Sequence, residues 1–191
     1  MKPEINLLSG GPGLPRRDFL KVGVGFSIAL TLGSAVVGCS DAAKVPAQGF
    51  AFLQPGDIEL FTALAPAVVT ELSSFDEARR KQLVGKMLGV VDGTLFAMGQ
   101  GSQKEVRKLL DLLAIKPLRY VLTGVGAWDE AGVDKMQAFL ERWRGSRFAT
   151  LNAGGNVLVK LSATGFYLLP AAWASTGYPG PLEYVFNAIN S

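Results

Sequence analysis

The sequence predicts an all-α domain, a compact bundle of five or six helices over residues 55–191 closed by an aromatic, Pro- and Gly-rich C-terminal tail. Three observations predict it. Apolar residues recur at three- and four-residue steps through most of the stretch from Pro55 to Leu169. Two capping-box matches, Ser74-Phe75-Asp76-Glu77 and Ser102-Gln103-Lys104-Glu105, open two of these runs. Helix starts and stops of the right chemistry, Pro117, Gly124 and Gly145, punctuate the rest.

Taken in order, Asp57 can cap a first helix in which Ile58, Phe61, Ala65, Val68 and Leu72 share a face. Pro66 lies inside that run and is expected to kink or split it, because it removes one backbone hydrogen bond. After the box at Ser74, the residues Leu83, Met87, Val91 and Leu95 line one face, with Val84 and Leu88 beside them. The box at Ser102 opens a helix carrying Val106, Leu109, Leu110 and Leu113. Pro117 starts a short helix through Leu122, closed by Gly124. Asp129 or Trp128 precedes a helix with Val133, Met136, Leu140 and Trp143 on one face, ending at Gly145.

The last long segment runs from Phe148 to Leu169, with Leu151, Leu158, Leu161 and Leu168 as its helical face. Gly154 and Gly155 weaken such a helix but allow a neighbour to come close. A strand over Asn156–Leu161 is the competing reading. From Phe166 to Leu182 the chain reads as turn chemistry loaded with aromatics, in which Gly177 and Gly180 can take positive φ and Pro179 and Pro181 fix the backbone. There is no internal repeat, low-complexity tract or long linker.

Ahead of the bundle come two further segments. Residues 1–38 read as an export signal: the basic run Arg16-Arg17-Asp18-Phe19-Leu20-Lys21 is followed by Val22–Val37, sixteen residues without a charge. That stretch falls short of the roughly 20 residues a membrane span needs. A single uncleaved anchor is the alternative. The pair Arg16 and Arg17 with Phe19, Leu20 and Lys21 resembles the twin-arginine consensus, with Pro15 where Ser or Thr is usual. Val36-Val37-Gly38-Cys39 resembles the bacterial lipobox, in which the Cys is acylated and the chain is cut before it. Two or more buried acyl chains at about 0.8 kcal/mol per methylene anchor a protein stably where one does not. A chance free cysteine is the bland alternative. Residues 39–54 then read as a flexible tether, with Pro46 and Gly49 as breakers. The expected location is the bacterial periplasm, on a membrane through lipid at Cys39. Ser40 after the Cys fits outer-membrane sorting by the rule of enteric bacteria, and the choice of membrane stays open.

Composition restricts the chemistry. The chain has 191 residues, no histidine and one cysteine. No Ser-His-Asp or Cys-His pair, His-ligated metal or intramolecular disulfide can form within it. No catalytic, cofactor-binding or metal-ligating residue is therefore expected. The formal charge is +3, but residues 1–38 carry four basic against two acidic side chains, so the remainder is close to neutral. Without a basic stripe there is no expectation of nucleic acid. Asp76/Glu77 and Asp129/Glu130 are expected at helix N-termini rather than as acid/base pairs. Gly99-Gln100-Gly101 and Gly124-Val125-Gly126 read as helix stops and not as phosphate loops. Trp128 and Trp143 read as core. Trp173, Gly177, Tyr178, Pro179, Gly180 and Pro181 form the candidate partner interface, since aromatic anchors dominate binding when they enter pockets. Packing of the tail over its own helices is the competing reading.

The leader, the Pro-broken Phe61-Thr62-Ala63-Leu64-Ala65-Pro66, the helical middle and the closing Phe-Tyr…Pro…Trp…Gly-Tyr-Pro-Gly-Pro together resemble subunit 3 of the gluconate 2-dehydrogenase family. These are small subunits of membrane-bound, flavin-dependent sugar and sugar-acid dehydrogenases, and the small subunit of sorbitol and fructose dehydrogenases is of a similar type. The resemblance is sharp at the leader and at Trp173–Pro181. It implies a non-catalytic accessory subunit that carries the export signal through the twin-arginine translocase and escorts the catalytic chain. The implied partner is a large GMC-type subunit holding FAD, with a cytochrome c subunit as the electron acceptor in many such complexes. A lipobox is not a uniform feature of the family, which leaves open whether lipid on Cys39 replaces a membrane partner. A free-standing lipoprotein binding a small ligand in a helical pocket is the alternative.

Overall fold

Pro55 suits the first position of a helix, where its missing N–H would have no intrahelical partner in any case. The structure of the protein, a computed structural model, describes residues 45–180, and helix α1 runs Pro55–Val68. Its cap is Gln54 and not Asp57; Asp57 lies inside the helix and accepts the Gln54 N–H at 2.8 Å. Pro66 does not split the helix, because it falls in the last turn, and α1 stops at Val68. Leu72 therefore belongs to a separate 3-10 turn, Thr70–Ser74, in which it is buried.

Helix α2 spans Glu77–Ala97 and is capped by Asp76, whose side chain accepts the Arg79 N–H at 2.9 Å. The capping residue expected at Ser74 is thus two residues too early; Ser74 closes the preceding turn by donating to the Glu71 carbonyl. Helix α3, Gln100–Ala114, likewise opens ahead of the Ser102 box, after Gly99. Gly99 therefore starts a helix and Gly101 lies within it, so neither stops one. Gln103 has other work: its amide donates to the Leu95 and Phe96 carbonyls at 3.2 and 2.7 Å and so covers the free end of α2. Helix α4, Lys116–Thr123, has Pro117 in its first turn and ends at Gly124, whose φ of 74° favours glycine.

Helix α5 covers Val133–Arg144 and ends at Gly145 as expected. Its cap is Gly132, so Asp129 and Glu130 sit in the preceding loop rather than at a helix N-terminus. Val133, in the first turn, is 40% exposed and does not share the buried face. Helix α6 runs Ala149–Tyr167, which overturns the strand reading of 156–161. Leu158 and Leu161 are buried on it, but Leu168 lies past its end and is exposed. A short α7, Pro170–Thr176, occupies part of the stretch expected to be turn only. Seven α-helices are present among the described residues, one more than the upper expectation.

Helix α6 is the centre of the packing: it lies against α1, α2, α5 and α7, while α1 also touches α2, α3 and α5. Small residues make this possible. A Cβ on Gly155 would stand 3.1 Å from Trp143 Cβ, and one on Gly165 only 2.7 Å from Val91 Cγ2. The core is filled by Phe61, Leu64, Leu83, Met87, Leu95, Leu158 and Phe166 from three helices, α1, α2 and α6. Trp128 and Trp143 are buried as expected, and Phe139 packs edge-on to Trp143 at 5.0 Å. The Trp143 indole N–H donates to the Leu122 carbonyl at 2.9 Å, so its polar atom is satisfied.

The helical unit starts earlier than Pro55. Asp92, buried on α2, accepts the backbone N–H groups of Ala51, Phe52 and Leu53, each at 2.8 Å. Leu53 is itself fully buried. Residues 51–53 of the segment expected as a flexible tether are thus fixed on the bundle, since one buried carboxylate accepts three charge-assisted backbone hydrogen bonds.

Candidate partner interface at the C-terminal corner

The residues expected to form an interface come together at the end of α6. The pair Leu168-Leu169 turns the chain, and Pro170 starts α7 in the position where its missing N–H is harmless. The Trp173 carbonyl then accepts the Gly177 N–H, the Tyr178 N–H at 3.1 Å and the Thr176 hydroxyl at 3.0 Å. Gly177 permits this with φ of 69°. The chain folds back, and the Tyr178 ring meets the half-buried Trp173 indole edge-on with centroids 5.6 Å apart. Gly180, at φ 94°, lies flat on the same indole: a Cβ there would be 3.0 Å from Trp173 Cζ3.

Trp173 therefore packs within its own corner, while Tyr178 stays 50% exposed and Pro179 is exposed beside it. Pro181 lies outside the described residues, as do the export-signal residues Arg16, Arg17, Phe19, Leu20 and Lys21 and the lipidation candidate Cys39.

Two residues not expected from the sequence as interface residues lie at the end of α6 beside this corner. Leu168 is 58% exposed, an apolar side chain next to the corner. Tyr167 donates its hydroxyl to Glu71 Oε1 at 2.7 Å, tying the end of α6 to the 3-10 turn. That hydrogen bond is the main cause of a lowered pKa at Glu71 and of a raised pKa at Tyr167.

Among the described residues no group of three or more His, Cys, Asp or Glu could hold a metal ion, and no helix is long and apolar enough to cross a membrane. No protein-family model, curated protein or solved structure matches the chain.

Proposed function

We propose that this chain is the non-catalytic accessory subunit of an exported flavin-dependent dehydrogenase, carrying the twin-arginine signal and escorting a larger FAD-bearing partner that has none. The observation that supports it best is the C-terminal corner. Trp173, Tyr178 and Gly180 pack on one another and leave Tyr178, Pro179 and Leu168 exposed. A surface ordered in advance loses little entropy on docking, which favours tight association. The zero histidine count agrees with chemistry being supplied by another chain. Lipid on Cys39 would hold the assembly at the periplasmic face of a membrane.

The test is co-purification from the native host under mild detergent, with a tag at the C-terminus. A stoichiometric yellow flavoprotein without its own export signal is the expected companion. Changing Arg16 and Arg17 to Lys should leave both chains in the cytoplasm. Tyr178→Ala, at an exposed position, should release the flavoprotein while leaving the helical fold unchanged by circular dichroism. A lone lipoprotein in the eluate would overturn the reading.

A further inference from the structure

Helix α4 carries an unusual residue on its inner face. Ile115, just before the helix, and Leu118, Arg119 and Leu122 within it follow the i, i+3, i+4, i+7 spacing of an inward face; the three apolar residues are half-buried, and the one cation is the most buried of the four. Arg119 is only 6% exposed. Its guanidinium lies 4.9 Å from the centre of the Trp128 ring, and Nη2 donates to the Gly126 carbonyl. Its Nε has no hydrogen-bond partner. Among the described residues no carboxylate pairs with it, although a buried charge without a counter-ion is costly.

Arg119 and the buried Trp128 line a cavity of about 380 Å³ between the start of α1, the α3–α4 junction and the loop before α5. Its other charged walls are Glu59, Lys116, Asp129 and Glu130, all exposed. None of these four forms an ion pair among the described residues either. The cavity therefore has a cationic, aromatic-backed floor and an exposed wall with three carboxylates against one ammonium. Its volume is in the range of small-molecule sites.

We propose that this cavity binds a small zwitterion, an aminocarboxylate whose carboxylate meets Arg119 and whose ammonium meets the carboxylates of Glu59, Asp129 and Glu130. The charge order decides the class. A dianion would bring its second charge among three carboxylates, and a plain amine would leave Arg119 unpaired. A molecule with one charge of each sign answers both ends. The site stands independently of the proposed subunit role, so either can fail without the other.

Calorimetric titration of the full-length chain in detergent tests it, using unbranched ω-amino acids from glycine to 6-aminohexanoate. Butyrate and butylamine serve as single-charge controls. At least one amino acid should bind saturably in the millimolar range or tighter, at least tenfold more tightly than either control. Arg119→Gln should abolish the signal. If that variant loses its helical spectrum, the combined Glu59→Gln, Asp129→Asn, Glu130→Gln variant decides, because it alters only exposed positions. It should lose at least fivefold in affinity for the amino acid and bring butyrate level with it. No saturable heat with any of the amino acids up to about 20 mM, butyrate binding as tightly as 4-aminobutyrate to the unaltered chain, or full affinity in the rim variant would each overturn the proposal.

Discussion

Arg107 holds Asp57 through two parallel hydrogen bonds, Nη1 to Oδ2 at 2.7 Å and Nη2 to Oδ1 at 2.8 Å. The pair links α3 to the first turn of α1 across 50 residues of sequence. Asp57 is almost fully buried and also accepts the Gln54 N–H, while Arg107 reaches Asp111 through Nε and lies over the Phe52 ring. Burial works against the Arg107 charge, but the hydrogen bonds to Asp57 and the attraction of both carboxylates outweigh it and leave its pKa raised.

Removing one partner of this pair strands the other. Arg107→Met should cost about 3 kcal/mol, the usual consequence of leaving a buried carboxylate alone. Urea unfolding followed by circular dichroism measures it. Asp57→Asn together with Arg107→Met should cost less than the two single changes added, because the second change relieves the charge that the first one strands. Strict additivity would show that the two side chains act separately.

Asp92 should respond in a graded way. Its Oδ1 accepts from both Phe52 and Leu53, and its Oδ2 accepts from Ala51 alone. An asparagine can keep one oxygen where Oδ1 stands, so Asp92→Asn retains two acceptor contacts and should cost about 1–2 kcal/mol. Asp92→Ala strands all three amides and should cost about 3 kcal/mol or more. Amide exchange separates the cases: Ala51 alone loses protection in the asparagine variant, and Ala51, Phe52 and Leu53 all lose it in the alanine variant. Equal exchange in both would mean that Leu53 packing, not Asp92, fixes this segment.

The helices were legible in the sequence because a stripe such as Leu83, Met87, Val91 and Leu95 can be satisfied in only one way. Their ends were less so. Ser74 and Ser102 each match a capping box, yet Asp76 and Gly99 are the residues next to the helices, because a match fixes hydrogen-bonding capacity and not which of several nearby polar residues uses it. The three charged residues on buried stripes, Asp57, Asp92 and Arg119, were hidden for a different reason. For two of them the meaning depends on partners far along the chain, Arg107 for the first and the 51–53 backbone for the second; Arg119 meets Gly126 and Trp128 in the loop that follows its helix. Proline and glycine marked the C-terminal corner, but α7 was missed because Pro170 begins a helix as readily as it makes a turn. Tyr178 and Trp173 were both named from the sequence, and the fold shows that Trp173 is the one that turns inward, while Leu168, read as part of a helical face, is exposed.

Glycines on α2 and α6 should behave oppositely when changed to alanine. Gly89 is exposed on α2 and an added Cβ meets nothing within 4 Å. Gly89→Ala should therefore stabilise by about 0.5–1 kcal/mol through helix propensity alone. Gly165 sits where α6 meets α2, and an added Cβ would be 2.7 Å from Val91 Cγ2 and 3.1 Å from the Met87 carbonyl. Gly165→Ala must push the helices apart and should cost about 1–3 kcal/mol. Thermal unfolding of the two variants side by side checks both signs.

The Tyr167–Glu71 hydrogen bond should be visible in titration. Its lowering of the Glu71 pKa means that the contact stabilises the fold above the ordinary carboxylate range, and that this contribution fades as pH falls through the lowered value. Tyr167 is raised above its ordinary 10.0, so its share is present below that pH and is lost as pH rises through the raised value. Tyr167→Phe should return the Glu71 carboxyl upward toward the usual glutamate value, followed by carbon-detected NMR of its side chain. An unmoved Glu71 would assign its shift to its own backbone N–H instead.

Gly180 tests how the corner is held. Its φ of 94° is strained for any other residue, and its approach to the Trp173 indole leaves no room for a methyl group. Gly180→Ala should lift the chain off the indole and move the tryptophan emission to longer wavelength. Trp128 and Trp143 are buried in the core, so Trp173 is the one whose surroundings change. In a Trp173→Phe background the same glycine substitution should leave the emission unaltered. Because α7 touches only the end of α6 strongly, the unfolding midpoint should move far less than for Gly165→Ala. If the emission of Gly180→Ala matches that of the unaltered chain, the three hydrogen bonds to the Trp173 carbonyl are sufficient to hold the turn, and the approach of Gly180 follows from them rather than causing it.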